Sequence, residues 1–414
     1  MDRPDKTMTV ENSMSTLIPV AEARQRLIES LKPLATDSVP LMEAVGRVLA
    51  EDVKAHVTHP PSDVSAMDGY AVRAADVAAI PARVSLVGES AAGHPWSGTV
   101  QAGQAVRIFT GAHVPNGADA IVIQEDTDAS GTAITIKESS HVGRHIRPAG
   151  QDFKTGDVML RAPRRLTARD IGLAGAGNNA HLRVYRRPRV GVLSTGDEVA
   201  MPGERVGAHQ IVSANGPSIC AFVRSLGGID VHLGVVRDET LALRTALDRA
   251  EPLDMLVTSG GVSVGARDLM KQTLSTDDFA LAFHKIAMRP GKPLLFGHLK
   301  GLPIMGLPGN PVSAIVCAIL FLGPALERLQ GLPGAAPALT PARLGTDMKQ
   351  NDGREDYVRA TITRASDGSL IATPFAKQDS GMISTLAQSD ALIVRPPQAP
   401  AAKAGDGISI LVLS

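Results

Sequence analysis

From Arg189 to Gln330 short apolar runs alternate with apolar helical patterns, and this alternation constrains the fold more than any other feature of the chain. Val190–Leu193 reads as a strand, Ser218–Leu226 as a helix closed by Gly227-Gly228, and Val231–Val236 as a second strand. A helix over Glu239–Ala250 and a strand over Asp254–Thr258 follow. Leu302–Met305 is a further short strand, although Pro303 has no N–H to give to a ladder, and Val312–Leu329 is the longest helix. Such spacing implies parallel β-α units with right-handed crossovers. Residues 187–332 are therefore expected to form a doubly wound, mostly parallel α/β domain.

The remainder of the 414 residues is too long to share that core, since single cores stop growing at roughly 250–300 residues. Val20–Leu31 has the apolar spacing of an amphipathic helix ending before Pro33, Leu41–Val48 reads as a shorter helix, and a helical signal returns at Thr167–Leu173 before a linker over Ala174–Asn179. Between His59 and Gly150 short alternating runs such as Ala133–Lys137, punctuated by Pro, Gly and Asp, give a β-rich insertion. After Pro333 the runs Tyr357–Thr363, Leu370–Pro374, Ala391–Arg395 and Ile408–Leu413 point to a small β-barrel or sandwich. The expected fold class is multidomain α/β: a helical linking domain over 15–58 and 151–186, a β-rich insertion over 59–150, the α/β domain over 187–332, and a C-terminal barrel over 333–414. Residues 1–15 are expected to lack structure.

Net charge is zero, which argues against a global affinity for nucleic acid or an anionic membrane and makes any anion site local. Cys220 and Cys317 sit in apolar helical patterns and read as buried thiols of a reducing compartment. The polar N-terminus has no apolar core of a secretory signal, and the apolar run Val312–Gly323 is too short to span a bilayer. A cytoplasmic protein is expected.

In an open parallel sheet, ligands bind outside the carboxyl ends of the strands. Here those ends share a composition: Ser194-Thr-Gly-Asp-Glu198, Arg237-Asp238, Ser259-Gly-Gly-Val-Ser-Val-Gly265 followed by Asp268, and Gly306-Leu-Pro-Gly-Asn-Pro311. Ser259, Gly260, Gly261, Ser263 and Gly265 let backbone amides approach phosphate oxygens without Cβ interference. Pro308, Gly309, Asn310 and Pro311 form an N-cap with proline at the first helical position, which presents a helix N-terminus to the ligand. Glu198, Asp238 and Asp268 put carboxylates beside a phosphate site, an arrangement that needs a bridging hard cation such as Mg²⁺. Any one Gly-rich turn or Asn-Pro cap is more often structural; their joint occurrence on one sheet edge carries the reading. Neither a P-loop nor a dinucleotide fingerprint is present.

A second cluster, Lys285, Arg289 and Lys292, suits an oxyanion: if 284–289 is extended, the first two share a face and Pro290-Gly291 returns Lys292 to them. In the β-rich region Asp68 lies on a short turn, Thr110 ends an apolar strand, and Asp152 follows Gly150-Gln151.

The segments SAMDGYAV (65–72), FTGA (109–112), GQD (150–152), STGDE (194–198), SGGVSVG…D (259–268), MRPGKP (288–293) and GLPGNPVS (306–313) occur in order, within a likeness that runs from about residue 15 to the C-terminus. Together they resemble the molybdopterin molybdenumtransferase family, the MoeA family, which includes the E domain of gephyrin. The resemblance implies a cytosolic enzyme that inserts molybdate into adenylylated molybdopterin and releases AMP with Mg²⁺ present. It also implies an elongated four-domain homodimer whose cleft uses parts of the partner subunit, with the molybdopterin adenylyltransferase as a further partner. Asp68, Thr110, Asp152, Glu198, Asp238 and Asp268 fall on positions the family uses catalytically. Glu198, Asp238 and Asp268 would handle Mg²⁺ and pyrophosphate. Lys285, Arg289 and Lys292, with Arg359 and Ser380 from the C-terminal domain, would hold molybdate, and Pro308 and Pro311 match family positions as well. The sequence departs from the family pattern at Val64, where Asn is frequent, and at Leu269, where an aromatic is common.

Overall fold

The computed structural model describes residues 17–236, 252–260 and 279–413. The expected helix over Glu239–Ala250, residues 1–15, and Asp238, Gly261, Ser263, Gly265, Asp268 and Leu269 lie outside the described residues. The chain divides into two compact units, one over residues 38–184 and one over residues 1–37 with 185–414.

In the larger unit the alternation produces one six-stranded sheet, ordered Ile229–Val236, Arg189–Thr195, Met255–Ser259, Leu302–Leu307, Leu295–Leu299 and Phe279–His284. The first four strands are mutually parallel, as the period requires, and the last two add an antiparallel edge. Val190, Val192, Met255, Val257, Met305 and Leu307 are buried in one core with Ile219 and Val223 of the helix Asn215–Ser225. The helical stretch from Pro311 to Leu329, which includes a π-helical turn at Ala318–Leu322, fills the same core. By length and composition this stretch could cross a membrane, but 78% of its most apolar window is buried. The helix Val20–Ser30 adds Val20, Ala23 and Leu27 to this core, as its apolar spacing dictates.

A carboxylate ties the start of two neighbouring strands together. Asp254 accepts two hydrogen bonds from the Arg186 guanidinium at 2.9 and 2.6 Å and a third from the Arg189 amide at 2.8 Å. Its side chain is 12% exposed against 36% for Arg186, so removing it takes the acceptor from the Arg189 amide and leaves the guanidinium only partly compensated by water. Asp254→Ala is expected to cost about 1–3 kcal/mol, read as a lower urea midpoint with an unchanged slope.

The C-terminal strands Glu355–Arg364, Leu370–Pro374, Thr340–Leu344, Gly407–Val412 and Ala391–Arg395 are hydrogen-bonded in that order, and the last pairs back on the first to close a five-stranded barrel. Ala360, Ala372, Ile393 and Ile410 fill it. Met288–Arg289 pairs in parallel with Glu355–Asp356, which joins the α/β domain to the barrel edge.

The smaller unit contains a six-stranded, mostly antiparallel sheet ordered Ala120–Ile123, Gly69–Val72, Gln104–Ile108, Ala82–Ser90, Ala133–Ile136 and Thr127–Ser130. The linking segment is less helical than its sequence suggests. Its helix is Ala168–Ala176, closed at the start by a capping box between Thr167 and Asp170. Leu41–Val48 is not a helix: a 3-10 turn at Leu41–Glu43 ends at Gly46, whose φ is +76°, and Val48–Leu49 is a strand. Five apolar residues in eight suggested a helix, but the left-handed glycine interrupts it.

Candidate active site

The strand register brings the ends of the four parallel strands to one edge. Ser194 lies opposite Ser259, Ser259 opposite Leu307, and Thr195 opposite Val236. These strand ends therefore lie side by side at one edge of the sheet. Gly260 has φ +89°, and a Cβ there would lie 2.5 Å from the Thr195 carbonyl oxygen, so only glycine permits this approach. Asn215, at the start of its helix, donates through Nδ2 to Ser259 Oγ at 2.7 Å and to the Gly309 carbonyl at 2.8 Å. Sequence reading missed Asn215 because Asn215-Gly216-Pro217 looks like a turn, and the helix was expected to begin at Ser218.

Glu198 is exposed on this edge, and a Cβ at Gly196 would lie 2.7 Å from its carboxylate. The hydroxyl of Thr195 is buried and has no hydrogen-bond partner among the described residues. The Glu198 carboxylate and the unsatisfied Thr195 hydroxyl, three residues apart at the end of the same strand, are hard-oxygen donors of the kind Mg²⁺ takes while keeping several waters. These residues fit Mg²⁺. No group of three acidic, His or Cys side chains is assembled among the described residues.

Asn310 occupies the N-cap position before Pro311, but its side chain does not cap the helix. It donates instead to Ser380 Oγ at 2.9 Å, and the Ser380 carbonyl accepts the Val312 amide at 3.1 Å. The loop of the barrel thus covers the helix start that sequence reading left open.

Between the 288–293 segment and the barrel lies a cavity of about 740 Å³ lined by, among others, Arg289, Lys292, Ser313, Arg359, Ser380 and Arg395. Arg359 is 1% exposed and makes four hydrogen bonds, two to Gln378 Oε1 and one each to the Met382 and Asp379 carbonyls. Burial holds its pKa below the usual arginine value. Arg395, 5% exposed, is held by the carbonyls of Lys349, Ala399 and Pro400, and its Nε has no partner. Two desolvated guanidinium groups held by neutral acceptors give this wall a positive potential.

Arg289 is arranged differently. Asp356 grips it in bidentate fashion at 3.1 and 2.5 Å, and Asp352 approaches at 3.3 Å. Asp356 raises the arginine's pKa, and Arg354 brings the Asp352 carboxyl down to about 2. The expectation of one extended stretch over 284–289 does not hold. The edge strand ends at His284, Lys285 has φ +73°, and Met288–Arg289 joins the barrel instead. Lys285 is outside the cavity lining, whereas Lys292 is part of it. Gly291, at φ +112°, lies over Cys317, whose Sγ donates to the Gly291 carbonyl at 3.7 Å.

In the smaller unit Asp68 and Thr110 meet directly. Asp68 Oδ1 accepts from the Thr110 amide at 2.7 Å and from its hydroxyl at 2.8 Å. These bonds, with Arg107 nearby, hold the Asp68 carboxyl below its usual range. Arg107 itself lies 5.1 Å from the ring centroids of both Tyr70 and Phe109. Asp152 is exposed, and its amide donates to the His59 carbonyl at 3.1 Å.

Both cysteines are buried free thiols. Burial raises the Cys220 thiol to about 12 and the Cys317 thiol higher still. Neither forms thiolate near neutrality, so iodoacetamide is expected to label neither in the native protein and both after unfolding, as mass spectrometry would count.

The chain matches three family patterns: "MoeA N-terminal region (domain I and II)" over residues 18–177, "Probable molybdopterin binding domain" over 191–328, and "MoeA C-terminal region (domain IV)" over 341–413. It is 35% identical to molybdopterin molybdenumtransferase 2 of Mycobacterium tuberculosis, covering 94% of this chain and 98% of that one. It is 34% identical to the molybdopterin molybdenumtransferase of Haemophilus influenzae, covering 95% and 98%. The crystal structure of a molybdopterin biosynthesis MoeA protein from Pyrococcus horikoshii superposes with a TM-score of 0.82 at 28% identity, over 96% of this chain and 100% of that one. The agreement extends over the sheet edge, the barrel and the smaller unit alike, and the chain belongs to the molybdopterin molybdenumtransferase family, a family of transferases.

Proposed function

We propose that this chain transfers molybdenum to molybdopterin, as the names of its relatives state for them, by inserting molybdate into adenylylated molybdopterin with Mg²⁺-dependent release of AMP. The observation that carries the reading is a single cavity lined by Lys292, Ser313, Arg359 and Ser380. It is joined to the Gly-rich sheet edge through the Asn310–Ser380 hydrogen bond.

The buried Arg359 guanidinium and the Lys292 ammonium bind the molybdate oxygens, with the Ser313 and Ser380 hydroxyls to orient them. Lys285, which the family resemblance gives the same task, lies outside this cavity lining. Arg289, already paired with Asp356, acts chiefly by fixing the 288–293 loop. The segment Ser259–Gly265 and Pro308–Pro311 receive the pyrophosphate, and Arg395 adds positive potential to the cavity lined by Arg359. Glu198, Asp238 and Asp268 would hold Mg²⁺, which when bound offsets charge on the AMP leaving group. Two substrate sulfurs replace two molybdate oxygens, which leave as water after protonation, with no net electron transfer. Water cleaves the pyrophosphate bond to give AMP and the pterin monophosphate. No side chain need act as a covalent nucleophile, which agrees with the high thiol pKa values of Cys220 and Cys317.

Asp68, Thr110 and Asp152 complete the site from the smaller unit of a partner subunit, so the working species is a homodimer. The four-domain division at 59–150, 187–332 and 333–414, with the linking domain around the insertion, belongs to this reading. So do a cytoplasmic location, which the two free thiols support, and receipt of substrate from the molybdopterin adenylyltransferase. Asp268→Asn is expected to leave the melting curve intact and abolish Mg²⁺-dependent AMP release; unchanged release would refute the Mg²⁺ assignment. Incubation with ATP and molybdopterin should give no adenylylated product, because that is the work of the adenylyltransferase.

A further inference from the structure

Asn215 reaches from the first turn of its helix to two loops that leave neighbouring strands. Among the described residues, the last backbone link between these loops is the Gly260 amide to the Leu307 carbonyl at 3.3 Å. Beyond it they run close together, since a Cβ on Gly309 would come within 3.7 Å of the Gly260 Cα. Asn215 Nδ2 continues the connection with its bonds to Ser259 Oγ at 2.7 Å and to the Gly309 carbonyl at 2.8 Å. A carboxamide nitrogen has two hydrogens, so both are committed.

The electrostatic effect follows from which atoms accept. A carbonyl oxygen and a hydroxyl lone pair are negative ends, and left open at a phosphate site they repel the ligand. Asn215 occupies both. A serine hydroxyl that accepts from Asn215 is polarised as a donor in turn. An aspartate at this position would set carboxylate oxygens against the same two acceptors.

We propose that Asn215 is a positioning residue for the phosphorylated substrate: it fixes the Ser259–Gly260 and Gly309–Asn310 backbones at the spacing the pyrophosphate needs and masks two acceptors there. This rests on the substrate assignment above. It acts on the nucleotide half of the site, because neither Asn215 nor Ser259 lines the cavity assigned to molybdate.

The test is steady-state AMP release by the full-length protein with Mg²⁺, varying adenylylated molybdopterin and molybdate separately for wild type, Asn215→Ala and Asn215→Asp. Asn215→Ala should raise KM for adenylylated molybdopterin about tenfold, the scale of one or two lost net hydrogen bonds, and Asn215→Asp should raise it further. KM for molybdate and the melting temperature should not change. An unchanged KM for the pterin overturns the proposal, as does an equal rise in both KM values with a lowered melting temperature, which would mark a purely structural residue. A wild type that releases no AMP refutes the substrate assignment instead, and so separates that failure from this one.

Discussion

Arg359→Met is expected to lower kcat/KM for molybdate by about 100-fold or more, the scale of a lost bidentate charge-assisted contact. The guanidinium is fully desolvated, and the oxygens it donates to belong to Gln378, Asp379 and Met382, all neutral acceptors. No carboxylate bonds the guanidinium directly, the Asp379 charge acting on it only at a distance, and an oxyanion entering the cavity supplies a closer partner. The same substitution strips donors from the two carbonyls and from Gln378, so the protein should also lose about 2–4 kcal/mol of stability. Two measurements separate these effects. Molybdate should raise the melting temperature of wild type, as a ligand of the native state must, and leave that of Arg359→Met unmoved. Arg359→Lys should regain much of the stability and little of the affinity, because an ammonium lacks the planar fork. A variant that melts lower but keeps the wild-type molybdate KM would remove Arg359 from the binding role and leave it structural.

Asp68→Asn is expected to reduce kcat by roughly 100-fold or more with a melting temperature close to wild type, the behaviour of a charge needed only during reaction. Asparagine keeps an oxygen where Oδ1 accepts the Thr110 amide and hydroxyl, so the local turn survives and only the negative charge is lost. The pH dependence has a definite sign. The folded Asp68 carboxyl lies below its ordinary value, so it is ionised throughout the neutral range. Any contribution of its charge to activity or stability is present above the unfolded carboxylate value near 4 and is lost only as pH falls through the lower folded value. An activity loss between pH 6 and 5 would therefore have to come from another group. Equal kcat for Asp68→Asn and wild type would exclude Asp68 from the chemistry.

How much of this was readable in the sequence depends on whether local pattern or long-range closure decided the outcome. The parallel strands were legible because apolar runs separated by helical spacing have few alternative arrangements, and all four fall within two residues of their expected bounds. The barrel strands Leu370–Pro374 and Ala391–Arg395 were legible for the same reason. The antiparallel edge was not. Leu295–Leu299 contains Gly297, where a Cβ would sit 2.6 Å from the Ala280 carbonyl, and a strand glycine reads locally as a turn. Lys285 shows the limit more sharply: alternation over 284–289 is a sound rule for one strand, and a single residue at φ +73° sends the two halves to different sheets.

The site divides in the same way. Asp68 and Thr110 were named from separate motifs 42 residues apart, and the fold joins them by two hydrogen bonds. Arg359, Lys292 and Ser380 come from distant segments and line one cavity. Arg395 and Asn215 escaped notice because nothing local marks them. The burial of Arg395 depends on carbonyls of Lys349, Ala399 and Pro400, and the role of Asn215 depends on strands whose register only the folded sheet fixes.

The most direct test of the proposed transfer is the stoichiometry of a single turnover. The full-length protein, loaded with adenylylated molybdopterin, receives molybdate and Mg²⁺; free AMP and molybdenum bound to the pterin are then measured together over time. AMP and pterin-bound molybdenum should appear in equal amounts, and omission of either ion should suppress both. Release of AMP with no molybdenum on the pterin, or molybdenum insertion with the pyrophosphate bond intact, would contradict a site in which cavity and sheet edge act on one substrate.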